Sequence, residues 1–247
     1  EFRRVLFRSS MILTKRALVK TLVEKDTMYM HGKKIIVSGP QEDRVIRAFN
    51  NVRFYKSDMS GKCDSLHSNN KTQLTKMIGK PILWNNENQM TGDVMHLIGN
   101  NKTQKLDSLK VLNNAFIIQK DSLSKNGYNQ IKGQNLYGKF VDSKLKEVDV
   151  VKNAEVIYYM YNDANEFIGI NKTVCSKINL ELEANKINSI TFFTKTDSFI
   201  YPEADFPENA RKLRGFLWRG DERILSKDDI FPAEEIALDD KIQIEAK

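Results

Sequence analysis

Three histidines and two cysteines are the residues whose chemistry best suits metal binding or nucleophilic attack near neutral pH, and their spacing serves neither. His31, His67 and His96 fall in no HExxH or HxH arrangement, and no Cys/His cluster surrounds them. His67 and His96 occupy related places in successive segments, which points to a shared strand face. Cys63 and Cys175 lie far apart without a CxxC. They read as buried free thiols, with one disulfide as the alternative in an oxidising compartment. No GxSxG, phosphate-binding glycine loop or GxGxxG stands in its required context. Carboxylates are numerous, but they fall in turns and on solvated faces and single out no glycosidase pair. Arg219-Gly220-Asp221 matches an adhesion tripeptide at chance frequency. No catalytic residue, metal ligand or cofactor emerges, and a non-enzymatic role is expected.

The elements that would position any site are repetitive. NNKTQ occurs at Asn69–Gln73 and again at Asn100–Gln104, 31 residues later, and the same step separates Gly61 from Gly92. Four segments each place two apolar residues three apart: Leu74/Met77, Leu106/Leu109, Leu145/Val148 and Ile187/Ile190. Asn-Ala follows nine residues after Leu106 and after Leu145, and an earlier divergent copy ends at Asn50-Asn51-Val52-Arg53-Phe54-Tyr55. Repetition at this step implies a stacked or wound architecture. No segment sustains a helical i, i+3, i+4, i+7 pattern, whereas stretches such as Ile178-Asn-Leu180-Glu-Leu182 alternate. The breaks are Asn-Asn, Asn-Lys, Asp-Ser and Asn-Gly, residues that tolerate left-handed backbone, so the chain reads as β-hairpins in series with a bulge or strand start at each three-residue spacing. Three Asn-Lys-Thr sequons, including Asn171–Thr173, are explained by the same turn chemistry.

Aligning the copies on their Asn-x turns puts Val52, Phe54, Ala115, Ile117, Ala154, Val156 and Tyr158 on one face and Arg53 and Glu155 on the other. The preceding strands add Leu136 and Phe140, then Ile178, Leu180 and Leu182. One apolar face requires a second layer or an apolar guest. These twelve residues are core side chains taken singly; as a row they could line a groove for acyl chains.

Net charge is +7, of which the first ten residues, EFRRVLFRSS, supply +2 through three arginines and one glutamate, leaving +5. This leader matches none of the later patterns and reads as non-native, so residues 11–201 are expected to form the β unit, of a chain truncated at its N-terminus. Residues 202–247 change character: Pro202 and Pro207 bracket a polar link, Glu208–Leu213 reads as one or two helical turns stopped by Gly215, and a loose tail starts at Asp239. Lys71, Lys76, Lys80, Lys102, Lys105, Lys110, Lys144 and Lys146 are assigned to turns, as solvated groups or as a rim attractive to phosphorylated ligands. Charges that follow turns, without an aromatic platform, disfavour a nucleic-acid reading.

The stretches EKDTMYMHGKKIIV, RVIRAFNNVRFYKSDMSGKCDSL, GKPILWNNENQMTGD, LNNAFIIQKDS, YNQIKGQNLYGKF, KNAEVIYY, FIGINKT and GFLWRGDER followed by KDDIF resemble, in order and spacing, the OstA-like (LptA-type) lipopolysaccharide-transport family. They span Ile12 to Phe231; Ile224 departs from an expected Pro. The resemblance implies an all-β, V-shaped β-jelly roll in the periplasm, its apolar interior carrying the acyl chains of lipopolysaccharide. It also implies jelly rolls, of other transport proteins or of the same chain, joined end to end by edge-strand pairing. Against it stand a structural β-solenoid or adhesin-like scaffold, and a carbohydrate-active β-helix enzyme.

Overall fold

A computed structural model describes residues 10–235, except 24, 25, 86, 104, 125, 143, 184 and 185; the leader up to residue 9 and the tail from Asp239 lie outside the described residues. Ser10, assigned to the leader above, already pairs with Ser38. The described residues are all-β, with sixteen strands in one antiparallel sheet. They are β1 (Ser10–Thr14), β2 (Leu18–Val23), β3 (Asp26–His31), β4 (Lys34–Ser38), β5 (Val45–Lys56), β6 (Met59–Asn69), β7 (Leu74–Ile78) and β8 (Ile82–Asn85). β9 (Asn88–Thr91), β10 (Val94–Gly99), β11 (Leu106–Lys120), β12 (Tyr128–Val141), β13 (Lys144–Tyr161), β14 (Phe167–Glu183), β15 (Lys186–Phe193) and β16 (Asp197–Tyr201) follow.

The pairing resolves into two layers. β1, β4, β7, β10, β15 and one half of each long strand form the first, and β2, β3, β8, β9, β16 and the other halves form the second. Each strand, or collinear pair of short strands, bonds only to its neighbours in the chain. This is an up-and-down meander, whereas a double-sheet jelly roll crosses by Greek-key connections; here the crossing between layers is made inside each strand.

The crossing device is a corner of two consecutive left-handed residues. Asn50-Asn51 (φ 62°, 55°), Asn113-Asn114 (57°, 51°) and Lys152-Asn153 (64°, 52°) interrupt β5, β11 and β13. Lys15-Arg16, Gly79-Lys80 and Thr194-Lys195 do the same between β1 and β2, β7 and β8, and β15 and β16. The Asn-x pairs are therefore mid-strand corners and not the hairpin turns expected from the sequence. Asn suits both roles because its short polar side chain tolerates the left-handed region. At four corners the adjacent strand donates an N–H to the first left-handed carbonyl: Lys33 to Asn50 (3.1 Å), Asp64 to Gly79 (3.0 Å), Asp93 to Asn113 (3.1 Å) and Ser176 to Thr194 (3.2 Å). The adjacent strand must come close, and Gly32, Gly92 and Gly133 allow it: a Cβ on each would meet a carbonyl at the corner or just before it (Phe49, Asn113 and Val151) at 3.2–3.3 Å. Gly61, paired with Gly92 by sequence step alone, has another task, since a Cβ there would sit 2.5 Å from the Phe54 ring.

Both NNKTQ copies do reverse the chain, and on the same rim. The Asn69 carboxamide oxygen accepts from the Thr72 N–H (3.0 Å), and that of Asn100 accepts from Lys102 and Thr103 (2.8 and 3.2 Å), so each turn is closed by its own leading Asn. The Gly99 N–H donates to the Gln73 carbonyl at 2.8 Å and ties the two turns together. Register shifts opposite Leu106, Leu145 and Ile187 turn both members of those three-residue pairs inward, while Leu74 starts β7.

After Tyr201 the extension recrosses the outer face of the second layer. In place of the expected helical turns over Glu208–Leu213 there is a single 3-10 turn, Glu208–Ala210. Phe206 and Leu213 bury the outward side chains Phe116, Ile118, Ile157, Tyr159 and Ile170, with Phe216 and Trp218 packed beside Tyr128. Two buried glutamines hold the strap as a strand neighbour would. Gln130 donates to the Arg211 carbonyl (2.7 Å) and accepts from the Leu213 N–H (2.8 Å). Gln89 donates to the Leu217 carbonyl (2.8 Å) and accepts from the Arg219 N–H (2.7 Å). Farther on, Glu222 accepts from Lys62 (2.7 Å), and Phe231 packs edge-on to His31. Ile224, where Pro was expected, is buried.

Glu222 also accepts from Arg219 Nε and Nη2 (2.6 and 2.8 Å). Hydrogen bonding from Arg219, then Lys62, holds its carboxyl down at about 2. A carboxylate lowered from 4.5 stabilises the fold fully above that ordinary value and loses the effect as pH falls through the folded one. Because the group is half-exposed, Glu222→Gln is expected to cost about 1 kcal/mol at neutral pH. Urea titrations should show the difference from wild type closing as the pH approaches 2.

Candidate functional site

All twelve sequence-selected residues converge between the layers. Val52, Phe54, Ala115, Ile117, Leu136, Phe140, Ala154, Val156, Ile178, Leu180 and Leu182 are buried in one cluster, and Tyr158 is half-buried against it. Met30, Ile35, Met77, Met95, Leu109 and Val111 complete the packing. Beside the corners this interior is closed. Val52, Val150, Ala154, Val156 and Ile178 have no exposed surface.

The layers part at the turn end of the N-terminal half, leaving a cleft of ≈ 490 Å³. One wall comes from the rim of the second layer, with Val23, Met28, Phe54 and Met59; the other comes from the rim of the first, with Leu97 and Leu106. Of the twelve residues, Phe54 alone reaches the cleft. Met28, Met59 and Leu97 were missed, though each continues the alternation of its strand. Leu106 had been noted as the first member of a three-residue pair. Lys56 and Lys105 stand at the mouth, bonded at 2.8 Å to Asp58 and Asp142 respectively. The NNKTQ turns contribute Asn70 and Gln73. The cleft is an apolar slot with polar, partly cationic lips.

The residues weighed for chemistry are placed elsewhere. His31 is fully buried, with Nδ1 2.8 Å from the Ala17 carbonyl and Nε2 3.3 Å from Glu235. Cys63 and Cys175 are buried and free. Burial pushes the Cys63 thiol up to about 12, which removes it as a nucleophile at neutral pH. His67 and His96 share the outer face of the first layer, both in register with Lys76. Lys76 and Lys110, assigned to turns above, lie mid-strand on that same face.

Desolvation, then Arg47 and Lys76, lowers the pKa of His67; desolvation, then Lys76 and Lys110, lowers that of His96. As pH falls the unfolded chain binds these protons first, so both histidines withdraw stability on acidification below their ordinary value of 6.5. The double variant His67→Gln/His96→Gln should lose less stability than wild type between about pH 7 and 5, measured by chemical denaturation.

The described residues thus form an antiparallel sheet bent at left-handed corners around an apolar slot. Residues 19–105 match the family described as LptA/(LptD N-terminal domain) LPS transport protein. That segment is similar to the LptA-type family over about a third of the chain, and every residue lining the cleft except Leu106 falls within it. A solved structure described as LptH, the LptA homologous periplasmic component of the conserved lipopolysaccharide transport device from Pseudomonas aeruginosa, is similar at 16% identity and a TM-score of 0.44. The similarity covers 59% of this chain and 99% of that one. No curated protein sequence matches the chain.

Proposed function

We propose that the protein is a non-enzymatic periplasmic carrier of lipopolysaccharide, holding acyl chains in the cleft between the two rims. The observation that carries this reading is the ≈ 490 Å³ slot walled by Met28, Phe54, Met59, Leu97 and Leu106 inside the segment that matches the transport family. The unbranched, flexible thioether side chains of Met28 and Met59 adapt to a hydrocarbon without a fixed shape. The lysines at the lips suit the phosphates of a lipid headgroup. The V-shaped interior, residues 11–201 as the carrying unit and residues 202–247 as a charged C-terminal extension belong to the same proposal. So does extension into a bridge: β1 and β2 at one edge, and β15 and β16 at the other, each present one side to a further strand.

Photo-crosslinking residues placed at Phe54, Met59 and Leu97 should label lipopolysaccharide. Probes at Val156 and Ile178 should label it only where the packed layers separate further, and a probe at Lys110 on the outer face should not. Absence of labelling at all three cleft positions would sink the carrier reading. It would leave the second reading, a scaffold without lipid, which the close packing around Val150, Val156 and Ile178 favours.

A further inference from the structure

The outer faces of the two layers differ. The contacts of the strap described above fall on the second layer, and the first carries a row of bases with no acid in it. Following the register from strand to strand, Arg47 pairs with His67, His67 with Lys76, Lys76 with His96, and His96 with Lys110. Five basic side chains thus stand side by side on five adjacent strands. None of the five forms an ion pair or hydrogen bond with another described residue. Elsewhere on the sheet lysines are matched: Lys132 with Glu155, and Lys177 with Asp149. Like charges opposite one another across strands oppose folding, and the downward shifts of His67 and His96, caused first by desolvation, carry that repulsion as their second cause. On either side along the strands the row is bordered by apolar residues in register, Leu74 and Ile98 toward the rim, and Ile78, Val94 and Leu112 toward the corner. Ile78 is 46% exposed.

We propose that this outer face of the first layer is a docking surface for the phosphate headgroups of an anionic lipid bilayer. A sheet presents the five bases on one broad surface, which a plane of phosphates can meet together. The flanking apolar rows then enter the headgroup boundary, as on other interfacial surfaces. An acidic peptide, by contrast, would find no groove on this face and no free strand edge along the row. The surface is distinct from the cleft, so the protein can lie against a membrane while the mouth between its rims stays open.

The test is co-sedimentation of the full chain with vesicles containing about one-third phosphatidylglycerol, against phosphatidylcholine vesicles. Wild type should bind the anionic vesicles and release them in high salt. Arg47→Ser/Lys76→Ser/Lys110→Ser should weaken that binding by about a hundredfold, while the charge-preserving Lys76→Arg/Lys110→Arg retains it. The serine variant should melt no lower than wild type, because it removes repulsion. Leu97→Glu, which obstructs the cleft, should bind vesicles as wild type does; loss of binding there would mean that lipid is taken through the cleft, and would overturn the proposal. Equal binding by wild type and the serine variant would overturn it too. So would preferential binding of soluble polyglutamate that anionic vesicles fail to displace, which would make the partner an acidic polypeptide.

Discussion

Replacing Gln89 and Gln130 together by alanine should unseat the C-terminal strap while leaving the two-layer sheet folded. Each glutamine satisfies one N–H and one C=O of the strap, and both side chains are buried at 0–1% exposure. Truncation leaves those backbone groups without partners. A buried polar group so orphaned costs about 1–3 kcal/mol, so the loss for the two groups should reach ~2–6 kcal/mol per glutamine before water relieves part of it. That is comparable with the contribution of the few apolar anchors, chiefly Phe206 and Leu213. Hydrogen exchange should therefore rise at the Leu213 and Arg219 amides, and proteolysis should cut between Phe206 and Phe231. Exchange across β12 and β13 should stay slow. If both amides remain protected in the double variant, the apolar anchors alone hold the strap.

The second large effect is expected at a corner. A Cβ on Gly133 would lie 2.5 Å from Val150 Cγ1 and 3.2 Å from the Val151 carbonyl oxygen. Val150 is fully buried and cannot swing away, so Gly133→Ala should destabilise by about 3 kcal/mol, the upper range for overpacking. Because the worst contact is to one methyl, adding Val150→Ala should recover part of the loss and give a favourable coupling in a double-mutant cycle. Urea denaturation of the four proteins measures it. Strict additivity would show that the backbone carbonyl is the limiting contact.

The inward face was legible because period-two alternation survives in every long strand. The Val52/Phe54, Ala115/Ile117 and Ile178/Leu180/Leu182 phases needed only the sequence. The corners were misassigned for a physical reason: Asn in the left-handed region closes a hairpin or kinks a strand equally well, and only the continuing register distinguishes them. The strap left a trace that alternation hides. In Ala115-Phe116-Ile117-Ile118 and Val156-Ile157-Tyr158-Tyr159 both phases are apolar, the mark of strands buried on two faces. Gln89 and Gln130 gave no such sign, since a glutamine that substitutes for a neighbouring backbone reads like any polar residue. The cleft was the least legible feature. Where facing layers cease to touch depends on the angle between them, which no local pattern encodes.

The corners also constrain how such a chain can change in length. Left-handed pairs occur on one strand, and the next receives them, through Gly32, Gly92 or Gly133 at three places and through Asp64 or Ser176 at two, so the two kinds of strand alternate without interruption. Insertion or loss of a single strand would set two like strands side by side, either bulge against bulge or hollow against hollow. Growth and shortening are confined to even steps, and a relative that differs in size should differ by whole hairpins, each bringing its own kink and its own recess.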